Sequence, residues 1–408
     1  MPTYGEDMLM RPLKNQLVPI ERLTREPDHY FYGYYDNQPF SADLEYHLAH
    51  RVKFMNHMPT KSDIAELGMI RLRDNAWIPL SETSAWNFQQ GSMYQWRPGH
   101  PDEVLYNVCF AGAYKCVIQN VKTGQKRIMP YPVASVSYDG RTAVSINFSR
   151  IFWFRAGYGY DGIADPWKND LHPADDGVYT MDLDTGEAKL VMSLDQMYRM
   201  SLPYMQTDEE KNEWKYLINH INLNPSGTRF LALYRGRSDK PYSRWKTYTI
   251  TANTDGSEPY LLLDDVASHL HWRDDEHVMI YARTYKDHDW GCWLFRDRTH
   301  EAFRYDPANT MPGDGHCNYS PDRRFILNDT YPRDGYRSLY LYEIATAKTV
   351  LLADIATIPH EELTDIDMRC DLHPRWSGDG SMISFDSVHE GHRHVYRIRM
   401  EDIPKGTF

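Results

Sequence analysis

Three histidines stand at equivalent places in the second half of the chain. His269, His316 and His373 each lie at the start of a short strand that runs into a polar turn. Asp371 lies two residues before His373. Imidazole nitrogens with a nearby carboxylate are ligands that divalent first-row metals prefer. If the three strands converge, these side chains predict a metal site, whereas each histidine alone is more simply a structural residue.

A group of arginines lies upstream of the histidines. Arg235, Arg237 and Arg244 fall within ten residues. A guanidinium can hold a carboxylate through two parallel hydrogen bonds, so this group predicts an anion-binding cleft. The alternative is a solvated charged loop, because exposed arginine is ordinary.

Three further side chains could meet a polar ligand. Tyr35 ends an aromatic run that begins at His29, Gln90 follows a second glutamine, and Tyr160 closes a glycine- and tyrosine-rich loop. Tyrosine combines an apolar ring with one hydrogen bond, and an amide can bind sugar hydroxyls. Both residue types also serve simply to pack and to satisfy backbone groups between strands.

A repeated polar turn shows which elements must position these residues. Such turns, rich in Gly, Pro, Asp and Asn, mark chain reversals between strands. Seven occur: Ser41-Ala42-Asp43, Arg97-Pro98-Gly99, Ser137-Tyr138-Asp139-Gly140, Asn224-Pro225-Ser226-Gly227, Arg273-Asp274-Asp275, Ser320-Pro321-Asp322 and Ser377-Gly378-Asp379-Gly380. Most are followed by an apolar strand, a second strand and an outer strand. A period of roughly 40–50 residues with four strands per unit is typical of a β-propeller.

The sequence therefore predicts an all-β protein, a seven-bladed β-propeller. Its last repeat lacks an outer strand, whereas the N-terminal segment Gln16–Ile20 is a spare one. We expect residues 16–20 to pair with Val395–Met400, because this closes the ring and removes two free sheet edges. Residues 1–408 would then form one propeller domain, with rim insertions near 54–67, 151–176 and 200–214. The first insertion is expected between blades one and two.

Composition restricts the classes of partner. The chain has 45 Lys and Arg against 57 Asp and Glu, a net charge of −12. Nucleic acid is not expected as a partner, because phosphate neutralisation needs a basic face. Five scattered cysteines indicate no disulfide framework. The N-terminus is polar and acidic, and no long apolar run is present, so a cytoplasmic protein without a membrane partner is expected. A trimmed secreted protein would give the same pattern, and the oligomeric state is left open.

The order of these motifs resembles oligogalacturonate lyase and related propeller-type polysaccharide lyases. The resemblance lies in Ser268-His269-Leu270-His271-Trp272, in Asp371-Leu372-His373-Pro374 and in Arg244-Trp245. The chain differs from that family at two ligand positions, where it has Asp371 for a histidine and Met368 for a glutamine. The neighbouring His316 is available to compensate.

The resemblance implies β-elimination at a 4-linked uronic acid within an acidic oligosaccharide. It implies a divalent metal, Mn²⁺ first with Ca²⁺ or Zn²⁺ as alternatives, held by His269, His316, His373 and Asp371. Arg244 or His220 would be the base, and Arg235, Arg237, Tyr35, Gln90 and Tyr160 would bind substrate. Two other classes remain open: a non-catalytic glycan- or protein-binding propeller, and a glycoside hydrolase acting on uronate-containing chains. Bound metal together with an unsaturated uronate product distinguishes the lyase from both.

Overall fold

The computed structural model describes residues 12–239, 244–283, 290–306, 310–311 and 313–408. Short strands dominate these residues, as expected for a chain in which apolar and aromatic runs alternate with polar turns. In the first half of the chain the strands are β1 (Glu21–Arg22), β2 (His29–Phe31), β3 (Tyr46–Val52), β4 (Ala65–Arg71), β5 (Ala76–Thr83), β6 (Gln95–Trp96), β7 (Glu103–Phe110), β8 (Ala113–Asn120), β9 (Lys126–Ile128), β10 (Ser135–Val136), β11 (Thr142–Ser145), β12 (Gly177–Asp182) and β13 (Ala188–Ser193).

The second half of the chain continues the same pattern. Its strands are β14 (Lys215–Leu223), β15 (Arg229–Arg237), β16 (Lys246–Asn253), β17 (Tyr260–Leu263), β18 (Ala267–Trp272), β19 (His277–Arg283), β20 (Trp290–Arg296), β21 (Ala302–Arg304), β22 (Asn318–Tyr319), β23 (Phe325–Asp329), β24 (Tyr336–Glu343), β25 (Lys348–Ala356), β26 (Arg375–Trp376), β27 (Met382–Ser387) and β28 (His394–Arg399). The helices are α1 (Phe148–Phe154), α2 (Leu194–Ser201) and α3 (Asp208–Asn212).

The strands form seven four-stranded antiparallel sheets, which confirms the predicted seven-bladed β-propeller. Six sheets use four consecutive strands, from β2–β5 to β22–β25, and the seventh has the order β1-β28-β27-β26. The apolar cores lie between neighbouring blades. Leu231 and Leu233 of blade four, for example, share a buried cluster with Leu270 and Trp272 of blade five. Each blade therefore buries its faces against the next blade around the ring.

A serine and an aspartate shape the repeated turn. In four blades the serine hydroxyl donates to the aspartate two residues later, at 2.6–2.7 Å, as in Ser41–Asp43 and Ser377–Asp379. The same carboxylate accepts a backbone N–H two residues further on, as Asp139 does from Arg141 at 3.0 Å. These local hydrogen bonds explain why the turn recurs as a sequence motif.

The N-terminus closes the ring, but through different residues from those predicted. Glu21 and Arg22 pair with Arg397 and Tyr396 of β28, whereas Leu17 donates its backbone N–H to Leu352 of β25. The expectation that residues 16–20 pair with Val395–Met400 is therefore wrong by a few residues. Val18 is buried in the apolar cluster that joins blades six and seven, and Pro19 has no N–H to give to a ladder. The apolar Val18 is thus buried between blades, and the strand that pairs with β28 comes directly after residues 16–20 in the chain.

The predicted insertions near 151–176 and 200–214 lie between strands, whereas the first, near 54–67, runs into β4. Residues 53–64 connect β3 to β4 inside blade one, so the expectation of an insertion between blades one and two is wrong. The second insertion contains most of α1 and leads to β12, and the third contains α3 between blades three and four. Thr207 caps α3, because its side chain accepts the backbone N–H of Glu210 and the Glu210 side chain accepts the backbone N–H of Thr207. None of the helices in the described ranges has the length and apolar character needed to cross a membrane.

Candidate functional site

The three histidines chosen from the sequence lie side by side near the propeller axis. His269 belongs to β18, while His316 and His373 come just before β22 and β26, the innermost strands of blades six and seven. The ring centroids of His269 and His316 are 4.2 Å apart, and those of His316 and His373 are also 4.2 Å apart. His373 and His316 are almost fully buried. The equal register of the three blades thus brings three imidazoles together.

His316, Asp371 and His373 have donor atoms that suit a metal ion. One ligand atom from each lies within 4.8 Å of the others. The backbone N–H of His316 and its Nδ1 both contact Asp329, the latter at 2.9 Å, while its Nε2 finds no hydrogen-bond partner among the described residues. The Nε2 atom of His373 likewise has no hydrogen-bond partner among the described residues. A carboxylate on Nδ1 with a free Nε2 is the usual arrangement of a metal-binding histidine, so these residues fit a metal.

Two arginines hold the Asp371 carboxylate. Its oxygens lie 2.5 Å from Arg337 Nη2 and 2.8 Å from Arg369 Nε, and all three side chains are buried. Burial alone would raise the pKa of Asp371, but Arg337 and Arg369 outweigh it and hold the pKa well below its usual range. Asp371 is therefore an anion at neutral pH, and a metal there would share it with two guanidinium groups.

His269 lies at the edge of this group. Its Nδ1 is 2.9 Å from Asp314 Oδ1, and it does not belong to the set whose ligand atoms all lie within reach of one another. His269 thus lies beside His316, but at this place the described ligand atoms that are close enough to share one ion belong to His316, His373 and Asp371. A metal role for His269 remains a prediction.

Tyr34 connects the histidines to blade four. Its hydroxyl makes a short hydrogen bond with His220 Nε2, and its ring centroid is 5.1 Å from that of His373. His220 Nδ1 donates to the carbonyl of Asn219 at 2.7 Å, which leaves Nε2 to accept from Tyr34. Burial lowers the pKa of His220 well below its usual value, and the nearby Arg235 lowers it further. The pair is thus a neutral imidazole that faces a tyrosine hydroxyl.

Arg235 is a buried cation without a carboxylate partner in the described part of the chain. Its guanidinium donates to neutral acceptors: the side chains of Asn219 and Thr247, and the carbonyl of Ala267 at 3.1 Å. Burial, and then the charge of Arg155, lower the pKa of Arg235 to about 10. An uncompensated positive charge in a buried position favours binding of an anion.

The other predicted substrate-binding residues are dispersed. Gln90 and Tyr35 line the same axial cavity as His220, although the Tyr35 hydroxyl is bound to both backbone groups of Leu270. Tyr160 is placed elsewhere: it is 1% exposed, stacks on Phe148 at 4.5 Å and accepts from Asn107. It is a core residue because its ring completes the packing of α1.

Arg237 and Arg244 lie outward from Arg235. Arg237 donates to the carbonyl of Trp153 at 3.2 Å and packs over the rings of Trp153 and Phe154. Arg244 is exposed. Its neighbour Trp245 lies under the Arg235 guanidinium, at 5.8 Å from the ring centroid. Arg244 is therefore close in sequence to the site but lacks the desolvated surroundings that an arginine base requires.

Sequence reasoning missed Tyr34 as the partner of His220, and Arg337 and Arg369 as partners of Asp371. Tyr34 belongs to an aromatic run in which nothing in the sequence distinguishes one tyrosine from another as a functional residue. The arginines had no motif around them. The Tyr34–His220 contact joins blades that are distant in sequence, so a signal for it exists only once the ring is closed. Arg369 lies two residues before Asp371 and Arg337 lies in the adjacent blade six, but no sequence pattern pairs either arginine with that carboxylate.

The axial cavity also contains Asp36. This cavity has an empty volume of about 400 Å³, including its opening, and is lined by Asp36, Gln90 and His220 among others. Asn222 donates to Asp36 Oδ2 at 2.8 Å, while Oδ1 is enclosed and has no hydrogen bond to any described residue. The side chain as a whole keeps some exposure. Burial raises the pKa of Asp36 from 3.8 to about 6.

This shift predicts a pH-dependent effect of Asp36→Asn on stability. The folded protein binds the proton more tightly than the unfolded chain, so the carboxyl group favours folding at low pH. That contribution is lost as the pH rises through about 6. As the pH rises from 4 to 7, the free energy of unfolding of Asp36→Asn should therefore increase relative to that of wild type, by at most about 1.4 kcal/mol per pH unit. Urea unfolding of both proteins across this range measures the difference. A difference that does not change with pH would contradict the assignment.

The structure is similar to solved oligogalacturonate lyases. It matches the oligogalacturonate lyase of Vibrio parahaemolyticus with a TM-score of 0.67 and 15% identity, over 97% of this chain and 96% of that one. It matches an oligogalacturonate lyase in complex with manganese with a TM-score of 0.65 and 14% identity, over 97% of each chain. The resemblance inferred from the sequence is confirmed at the level of fold.

Other propellers share the architecture. A chain of a mitotic checkpoint complex matches with a TM-score of 0.52 and 11% identity, over 97% of this chain and 98% of that one. No family model matches the sequence, and no curated protein matches it either. The fold therefore does not by itself select an activity.

Proposed function

We propose that this protein is a lyase that cleaves a 4-linked uronic acid in an oligosaccharide by metal-assisted β-elimination. The observation that carries the proposal is the buried Arg235, which has no carboxylate partner among the described residues and lies beside the His220–Tyr34 pair. The fold shared with oligogalacturonate lyases supports the same reaction class. Substrate class, metal identity and residue roles are all part of this proposal.

The reaction makes definite demands on a site. The C5–H bond breaks and its proton passes to a base, a double bond forms between C4 and C5, and the C4–O bond breaks with its electron pair leaving on the oxygen. The leaving oxygen then takes up a proton. Because the C5 proton is weakly acidic beside a carboxylate anion, the site needs positive charge at that carboxylate and a base within reach of C5.

Arg235 supplies positive charge for the uronate carboxylate. Its present partners are neutral oxygens, so a carboxylate can join them without displacing an existing ion pair. Arg155 adds a second charge nearby, although it is also paired with Asp367 at 2.8 Å. Binding the anion in this buried position strengthens the interaction relative to water.

His220 and Tyr34 move the proton. His220 Nε2 accepts the phenol proton while the phenol oxygen takes the proton from C5, so the charge comes to rest on a buried imidazole. The Arg235 charge is one reason that the pKa of His220 is low. A carboxylate bound at Arg235 cancels part of that charge, which raises the basicity of His220 when substrate is present. Arg244 is exposed and is a less suitable base.

His316, His373 and Asp371 would hold the divalent metal, which would supply a Lewis acid for the uronate carboxylate. Two imidazoles and one carboxylate suit Mn²⁺ or Zn²⁺ better than Ca²⁺, which prefers oxygen ligands. Mn²⁺ is our first choice, since one of the similar structures is a manganese complex.

Incubation with oligogalacturonides tests the proposal. We expect products that absorb in the ultraviolet through a conjugated C4–C5 double bond, and whose masses together equal that of the substrate. A neutral oligosaccharide of equal length is the control and should remain intact. Products that together contain one additional water would indicate a hydrolase. Binding without any product would indicate a glycan-binding propeller.

A further inference from the structure

A second group of metal-binding side chains lies where the ring closes, apart from the axial histidines. Glu26, His392 and His394 have ligand atoms that all lie within 4.8 Å of one another. Glu26 belongs to the segment between β1 and β2, which passes from the last blade to the first. His394 begins β28 and His392 comes two residues before it. The group therefore joins the segment between β1 and β2 to the last strand of the last blade.

His394 has a nitrogen suited to a metal ion. The residue is fully buried, and its Nδ1 lies 2.9 Å from Thr24 Oγ1. That hydroxyl oxygen already accepts the backbone N–H of Val395 at 3.2 Å, and it can also accept from Nδ1–H. In this tautomer the lone pair is on Nε2, which is buried and makes no hydrogen bond within the described ranges. A buried unpaired nitrogen is costly, and a metal bond would satisfy it.

The neighbouring side chains orient His392 and leave Glu26 accessible. His29 stacks on His392 with ring centroids 5.0 Å apart. Glu26 is exposed and pairs with Arg22 at 3.2 Å, while Arg22 also pairs with Glu390 at 3.1 Å. Arg22 therefore keeps an acidic partner if Glu26 binds a cation. The nearby Arg393 directs its guanidinium away, to the carbonyls of Met368 and Arg369.

We infer that Glu26, His392 and His394 form a divalent metal site that fastens the N-terminal segment to the last blade. Two imidazoles and one carboxylate suit Zn²⁺ and similar first-row ions. The site lies beside the seam hydrogen bonds from Leu23 N–H to the Val395 carbonyl and from Tyr30 N–H to the Arg393 carbonyl. A bound ion would stabilise the closed ring, because it binds the folded chain and has no preformed site in the unfolded one.

Zn²⁺ titration of metal-free full-length protein tests the inference. Calorimetry should show that wild type and His316→Ala bind one equivalent of Zn²⁺ that His392→Ala and Glu26→Gln do not bind. Glu26 is exposed, so Glu26→Gln should fold normally even if the histidine variant is unstable. His300→Ala, which removes an exposed histidine in blade five, is the matched control and should bind like wild type.

Saturating Zn²⁺ should also raise the melting temperature of wild type by a few degrees more than that of Glu26→Gln. Hydrogen exchange at the Leu23 and Tyr30 amides should slow with Zn²⁺ in wild type alone. Equal Zn²⁺ stoichiometry and equal stabilisation in wild type, Glu26→Gln and His392→Ala would overturn the inference. Activity on oligogalacturonides plays no part in this test, so it stands or falls separately from the proposed lyase function.

Discussion

Tyr34→Phe and His220→Ala should each lower turnover on an oligogalacturonide by roughly 10²–10⁴-fold, the usual contribution of a general base. Either change removes one half of the hydrogen-bonded pair, and the remaining half cannot carry the proton alone. Metal content should be unchanged, because neither residue belongs to the group formed by His316, Asp371 and His373. Steady-state kinetics with elemental analysis of the same preparations measures both quantities.

Tyr32→Phe is the matched control. It removes a buried tyrosine hydroxyl two residues away, and that hydroxyl makes no hydrogen bond with any residue described by the structure. Its turnover should stay close to wild type. If Tyr34→Phe and His220→Ala also remain close to wild type on a confirmed substrate, the base lies elsewhere and Arg235 becomes the first candidate.

The alkaline pH profile distinguishes these two roles for Arg235. If Arg235 binds the carboxylate as a cation, the rate should fall as the pH rises through about 10, where this side chain loses its proton. If Arg235 is instead the base, the rate should rise toward that pH. A histidine base with a lowered pKa is already unprotonated at neutral pH, so the rate should remain high down to below pH 6.5.

The fold could be predicted from the sequence because its repeat is local. Each Ser-x-Asp turn makes its hydrogen bonds within a few residues, so the motif is visible without the fold. The convergence of His269, His316 and His373 follows from the same repeat, since equal register in adjacent blades implies closeness. The closing strand was misplaced because apolar residues such as Val18 show burial but not the identity of the paired neighbour.

Contacts across the axis could not be predicted in this way. Tyr34 lies in the segment after β2 of blade one, and His220 lies in blade four. Their contact depends on the size of the ring and on the direction in which the segment after β2 enters the channel. That direction in turn depends on an ion pair in blade seven that no short motif reveals.

Asp386→Ala should destabilise the protein by about 3–5 kcal/mol, the usual cost of removing one partner from a buried ion pair. Asp386 accepts from Arg375 Nη2 at 2.6 Å and from the backbone N–H of Tyr32 at 3.1 Å. Arg375 also donates to the carbonyl of Gly33 at 2.8 Å, and both charged side chains are buried. The substitution would leave the buried Arg375 guanidinium without its counter-ion and the backbone N–H of Tyr32 without its acceptor.

The control is Asp74→Ala, which breaks an ion pair with Arg71 whose side chains are 45% and 31% exposed. Exposed pairs typically contribute about 0–1 kcal/mol, so this variant should unfold near the wild-type urea midpoint. Asp386→Asn keeps an acceptor and should fall between the two. Because Asp386 holds Tyr32 and Gly33, its loss should also release Tyr34 from His220 and reduce turnover in the protein that still folds. Equal urea midpoints for Asp386→Ala and Asp74→Ala would show that blade seven does not fix the aromatic segment in the channel.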